Sequence, residues 1–167
     1  VSVDIYLNET TRHADVILPP PPPSQCGHFD FALNNLAVRA NARYSPPVFP
    51  LSDGRPDEAE ILSRIALILY GMGPDADPAL VDAQVIAATL GKETADPHSP
   101  VAGRDADELT AMLTGERGYE RRLDMMLRLG PYGDAFGGRP GGLTLERLLA
   151  EPHGVDLGPL QPRLPGV

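Results

Sequence analysis

A dense run of polar side chains near the amino terminus carries the groups best suited to hold a ligand. It reads Asn8-Glu-Thr-Thr-Arg-His-Ala-Asp15. Amide, carboxylate and hydroxyl groups are the ones that orient a polar cofactor in a binding site. The sequence therefore predicts cofactor binding by six side chains: Asn8, Glu9, Thr10, Thr11, His13 and Asp15. The competing interpretation is a solvated turn whose asparagine, threonine and aspartate side chains satisfy their own backbone.

Two of these side chains suggest more specific roles. Histidine titrates near neutral pH, which would suit His13 as a proton shuttle, although a structural or exposed histidine is the plainer interpretation. Asp15 lies in an apolar run, and a carboxylate buried there would need Arg12 or a backbone N–H as its partner. No side chain is assigned a catalytic role. No metal site is predicted either, because the other histidines do not reach metal-ligand spacing with a cysteine or carboxylate.

Two strand-like segments flank the polar run. Val1, Val3, Ile5 and Leu7 alternate with polar or amphipathic residues, as in a pleated strand, and Ala14 to Leu18 is apolar apart from Asp15. Pro19 ends this second segment, and the prolines from 19 to 23 predict an extended polyproline II stretch. A strand that opens into a polar loop at its carboxyl end is where open α/β sheets bind ligands.

The segment IYLNETTRHADVILPP resembles the TETARxADVVLP segment of the molybdopterin-dependent oxidoreductases, the superfamily of formate dehydrogenases, nitrate reductases and dimethyl sulfoxide reductases. The resemblance continues through four further pieces: His28-Phe-Asp, Leu36-Ala-Val-Arg39, Tyr44-Ser-Pro-Pro-Val-Phe-Pro50 and Arg55-Pro-Asp-Glu-Ala-Glu-Ile-Leu62. Where family members often carry a glutamate and then an asparagine, this chain has Gln25 and Asp30.

The resemblance implies that the chain is a fragment of a longer enzyme. Residues 1–70 would be the end of a Rossmann-like molybdopterin-binding domain, 71–150 a helical connector or insertion, and 151–167 an extended linker toward a missing C-terminal β-barrel. The full-length parent would bind a bis-molybdopterin guanine dinucleotide cofactor with molybdenum or tungsten, and it would act on a small substrate such as formate with an electron-transfer partner. The fragment alone is expected to hold no cofactor and to be inactive.

The composition of the chain indicates which kinds of binding partner are disfavoured and which cellular compartment is expected. The chain has 167 residues and a net charge of −9, which disfavours binding to nucleic acid. No apolar run approaches the roughly 20 residues that span a bilayer. Cys26 is the single cysteine, so an iron–sulfur cluster that needs four thiolates cannot be held, and a reducing cytoplasm is expected.

The pattern of apolar, proline and glycine residues along the whole chain predicts a helix-dominated α+β to α/β fragment. Several short helices and loops rich in proline and glycine would follow a small N-terminal sheet portion, which by the resemblance belongs to a Rossmann-like domain. The longest reliable helix is expected at about 56–70, with Ile61, Leu62, Ile65, Ala66, Ile68 and Leu69 as its buried stripe. Four more helices are expected: from Asp77-Pro78 to near Gly91, from Asp105 to Gly115, from Gly118 to Gly130, and a short one after Thr144. Met112, Met125 and Met126 are expected in the core. An alternative function is a non-enzymatic interaction module presented by the helices at 77–130.

Overall fold

In the computed structural model, which describes residues 1–30, 36–52 and 54–159, the chain is a helix-dominated α+β protein. The α-helices are α1 (Glu58–Leu69), α2 (Ala79–Ala95), α3 (Ala106–Ala111), α4 (Gly118–Leu129) and α5 (Leu145–Ala150). The strands are β1 (Ser2–Val3), β2 (Ile17–Leu18), β3 (His28–Phe29), β4 (Arg39–Ala42), β5 (Tyr44–Ser45) and β6 (Val155–Pro159). Among these residues no helix combines the length and apolar composition needed to cross a membrane.

The strands form three two-stranded pairs. β1 and β2 are parallel, with Ser2 opposite Ile17 and Val3 opposite Leu18. The other two pairs, β3 with β5 and β4 with β6, are antiparallel. The segment predicted to be a linker at 151–167 thus contributes a strand through residue 159, and its remaining residues lie outside the described part of the chain.

The first predicted strand is much shorter than its alternation suggested. It ends at Val3 because the Asp4 carboxylate accepts hydrogen bonds from Tyr6 N (3.1 Å) and from Asn8 Nδ2 (3.0 Å), which turns the chain. Tyr6 and Leu7 are consequently 70% and 76% exposed. In the proline stretch, Pro22 has the extended backbone that was predicted, and a 3₁₀ turn follows at Pro23–Gln25.

Helix α1 forms where it was predicted, but two details were wrong. Asp57 caps it by accepting a hydrogen bond from Glu60 N at 2.8 Å. At 12 residues it is shorter than α2, which has 17. Its apolar stripe is also only partly buried, since Ile61 is buried together with Ser63 and Leu67, whereas Leu62, Ile68 and Leu69 are more than half exposed.

Two of the later helices begin at side-chain caps, and all four form close to the predicted positions. Asp105 caps α3 through Asp107 N and Glu108 N, and Thr144 caps α5 through Arg147 N. α2 runs past the predicted end at Gly91 to Ala95, and α3 ends at Ala111, before Gly115. Of the methionines predicted in the core, Met125 is buried but Met126 is 53% exposed, because it lies on the outer side of α4.

Two clusters of buried side chains hold the fold together. One joins β4, β5 and β6 to α4, α5 and the loop between these two helices: Ala42, Tyr44, Leu127, Leu143, Leu145, Leu148 and Val155. The other lies among α2, α3, α4 and the loop after α4: Ile86, Leu90, Val101, Leu109, Leu113, Met125 and Phe136. The first cluster draws on residues from all three of the predicted segments, so the packing crosses both predicted boundaries.

A buried ionic network fixes the loop between α4 and α5. Asp124, with 0% exposure, accepts hydrogen bonds from Thr114 N, from Leu145 N and from Arg128 Nε. Arg128 also contacts Asp134 at 2.8 Å, and its guanidinium stacks over the Phe136 ring. Asp134 in turn accepts hydrogen bonds from the backbone N–H of Phe136 and Gly137. The network holds Phe136 at a φ of 54°, which is costly for a residue with a side chain.

Candidate functional site

The polar loop that was predicted to bind a cofactor connects β1 to β2. Its centre is a 3₁₀ turn at Thr11–His13. Thr11 is 1% exposed, and its hydroxyl donates to Tyr6 O at 3.0 Å while accepting from Asn8 N at 2.8 Å. Because these bonds employ its donor and one lone pair inside the loop, Thr11 acts mainly as a scaffold for the turn.

Asn8 also contributes to the shape of the loop. Its Oδ1 atom accepts hydrogen bonds from Thr10 N at 2.9 Å and from Thr11 N at 3.0 Å. Its Nδ2 atom donates to the Asp4 carboxylate. This local bonding is the self-satisfied turn that the sequence allowed as the competing interpretation.

The other predicted ligand-binding side chains point to solvent. Glu9, Thr10, His13 and Asp15 are all exposed. Glu9 pairs with Arg12 at 2.7 Å, an ion pair in which both side chains are largely exposed and which therefore adds little stability. Asp15 lies at the surface, because the adjoining strand begins only at Ile17, so its carboxylate does not need the partner that burial would require.

The loop therefore divides into a scaffold and a presenting surface. Asn8 and Thr11 hold its shape through internal hydrogen bonds. The side chains of Thr10, His13 and Asp15 make no hydrogen bond or ion pair with any residue in the described part of the chain. Their hydroxyl, imidazole and carboxylate groups are available to a ligand that approaches this face.

A second group of polar side chains, not predicted from the sequence, lies in a cleft between the amino-terminal ends of α1 and α4. The cleft has a volume of about 290 Å³, and a smaller hollow of about 140 Å³ adjoins it through shared wall residues. Asp57, Arg117 and Tyr119 line both spaces, and Cys26 lines the smaller one. These residues are far apart in sequence, so no local pattern indicated that they meet.

Ion pairs neutralise most of the charge on the cleft wall. Arg117 contacts Asp57 at 3.0 Å, Arg122 contacts Asp82 at 2.6 Å, and Arg64 contacts Glu60 at 2.8 Å. The Arg122 Nε and Asp82 Oδ1 atoms are close but lack hydrogen-bond geometry, so their interaction is a charge contact without a well-aligned hydrogen bond. The two largely buried pairs tie α4 to the starts of α1 and α2.

Two tyrosines lie close together at the cleft. The Tyr44 hydroxyl donates to Glu120 Oε1 at 2.7 Å, and the hydroxyls of Tyr44 and Tyr119 both lie next to Gly27. Burial raises the pKa of Tyr44, and the bond to the Glu120 carboxylate raises it further. Burial also raises the pKa of Tyr119, against the opposing influence of Arg117. Both phenols are therefore neutral at physiological pH.

Cys26 does not have the environment of a reactive thiol. Burial raises its pKa, and the nearby carboxylates of Asp57 and Glu58 raise it further, outweighing Arg117. A nucleophilic cysteine requires the opposite shift, because the thiolate is the reactive form. Within residues 1–30, 36–52 and 54–159, no cluster of histidine, cysteine, aspartate and glutamate could hold a metal ion.

The cleft and the β1–β2 loop thus differ in how many of their polar groups are free to bind a ligand. The cleft is internally paired and joins three helices, whereas the β1–β2 loop leaves polar side chains unpaired on an exposed face. No family model, curated protein or solved structure matches this chain, so sequence pattern and geometry alone support any assignment of function.

Proposed function

We propose that the chain is part of a molybdopterin-dependent oxidoreductase, containing molybdenum or tungsten and possessing formate-dehydrogenase-like chemistry. In this proposal the β1–β2 loop contributes to binding one pterin-guanine dinucleotide of the cofactor. The metal and cofactor would supply the redox chemistry, and the protein would bind and orient them. The chain on its own would be inactive. The support is the sequence resemblance together with the arrangement of β1, the loop and β2.

The parallel pairing of β1 with β2 is the observation that carries the proposal. Parallel strands occur almost only in sheets covered on both faces, and a lone pair of strands is marginally stable in water. Here the pair is short, and apolar side chains next to it are exposed, including Val1, Ile5 and Val16. These properties are those expected of two strands that belong to a larger parallel sheet, as in a Rossmann-like domain.

The position of the loop fits the same interpretation. It begins after the carboxyl end of β1, and in open parallel sheets ligands bind beyond the carboxyl ends of the strands. Glu9, Thr10, His13 and Asp15 are exposed there, on a turn that Asn8 and Thr11 keep in shape. A turn shaped by internal bonds loses little conformational entropy when a ligand binds, which favours affinity.

The alternative of a non-enzymatic helical interaction module has less support. It places a partner surface on the helices at 77–130, where exposed large apolar side chains are few and scattered: Leu80, Val85 and Met126. The concentrated apolar surface lies elsewhere, on the first 72 residues. A helical docking module would be expected to show a contiguous apolar patch on its own helices.

The decisive experiment compares variants of the full-length parent. Replacing Glu9 and Thr10 together with alanine should weaken the affinity for the cofactor about ten- to a hundredfold, since an unpaired cofactor contact costs roughly 1–3 kcal/mol. The purified variant should therefore contain less pterin and less metal than the unmodified enzyme. The thermal stability of the apoprotein should change by only about 0.5 kcal/mol, because both side chains are exposed. Cofactor content is measured by metal analysis and pterin fluorescence after purification.

Two controls separate binding from folding. Asp75→Ala alters an exposed acidic residue outside the loop and should leave cofactor content unchanged. Thr11→Val removes the scaffold hydroxyl and should lower both apoprotein stability and cofactor content. Cofactor occupancy in the Glu9/Thr10 variant equal to that of the unmodified enzyme would show the loop to be a solvated turn. Stoichiometric molybdenum, tungsten or iron on the isolated chain, or dye-linked turnover by it, would contradict the inactive-fragment part of the proposal.

A further inference from the structure

We draw no further inference here: the strongest candidate, the outward apolar face of α1 formed by Leu62, Ile65, Ile68 and Leu69, carries none because nothing in the structure shows what covers it.

Discussion

Residues 1–72 and residues 73–159 bury their apolar side chains to very different extents. Among the described residues, the first region contributes few buried hydrophobic side chains: Ala42, Tyr44, Ile61 and Leu67. It exposes many large ones: Val1, Ile5, Tyr6, Leu7, Val16, Leu36, Val38, Val48, Phe49, Leu62, Ile68, Leu69, Tyr70 and Met72. The second region exposes only Leu80, Val85, Met126, Tyr132 and Leu149, and one buried cluster lies entirely within it.

The difference shows that a segment can form a regular helix without burying its apolar side chains. α1 is capped by Asp57 and has a regular apolar stripe, yet Leu62, Ile68 and Leu69 of that stripe are more than half exposed. The helices of the second region pack against several neighbouring elements and bury a core between them. Large exposed apolar surfaces mark sites of contact with other surfaces. If the first region belongs to a larger sheet domain, as proposed, the rest of that domain would supply this contact.

The largest expected effect lies in the buried ionic network of the second region. Asp124→Asn should lower the free energy of unfolding by about 3–5 kcal/mol, because it leaves the 6%-exposed Arg128 with a single acidic partner. Urea unfolding followed by circular dichroism measures this change. Asp75→Asn, the same substitution at an exposed site, should change it by less than about 0.5 kcal/mol. Equal effects from the two variants would mean that the network does not hold the second region together.

Paired leucine substitutions test the burial contrast within each region. In α5, Leu148→Ala should cost about 2–5 kcal/mol and Leu149→Ala little, since Leu148 is 0% and Leu149 50% exposed. In α1, Leu67→Ala should likewise cost more than Leu69→Ala, although both are apolar residues of one helix. Chemical denaturation of the four variants measures these differences. A larger loss from Leu69→Ala than from Leu67→Ala would show that the side of α1 that carries Leu69 is buried, contrary to the structure.

A glycine pair tests the contact between the starts of α2 and α4. A Cβ at Gly118 would overlap the Asp82 side chain, so Gly118→Ala should displace Asp82 from Arg122 and cost about 1–3 kcal/mol. Gly91 in α2 has open space around it, and Gly91→Ala should stabilise the protein by about 0.5–1 kcal/mol through helix propensity. Thermal unfolding measures both. Stabilisation by both substitutions would show that the Asp82 side chain is not in close contact with Gly118 at the start of α4.

The smallest effect concerns pH and the tyrosines that join the two regions. Because the pKa of Tyr44 is raised in the folded state, its contribution to stability is fully present below the ordinary tyrosine pKa of about 10 and is lost as pH rises above it. Tyr44→Phe should cost about 1 kcal/mol near pH 8, and the deficit relative to the unmodified protein should shrink above about pH 10. Unfolding at a series of pH values tests this. Tyr70→Phe, at an 84%-exposed site, should have little effect at pH 8. A Tyr44→Phe deficit that stays constant up to pH 11 would contradict the assignment.

The sequence by itself determined the features that depend on neighbouring residues. The caps at Asp105 and Thr144 could be predicted because a side-chain oxygen needs only the N–H groups two or three residues ahead. The self-bonded turn at Asn8–Thr11 was available as an alternative for the same reason. The position of the polar loop between two strand segments likewise followed from local alternation.

Only the tertiary structure decided which faces are buried and which distant groups meet. The α1 stripe has the helical period, but periodicity does not say whether a neighbour exists to cover it, and here Leu69 is 80% exposed. The pairs Arg117–Asp57 and Tyr44–Glu120 join residues 60 and 76 positions apart, and Asp124 binds Leu145 N across 21 positions. Such contacts depend on how helices pack in three dimensions, a property that no short window of sequence contains.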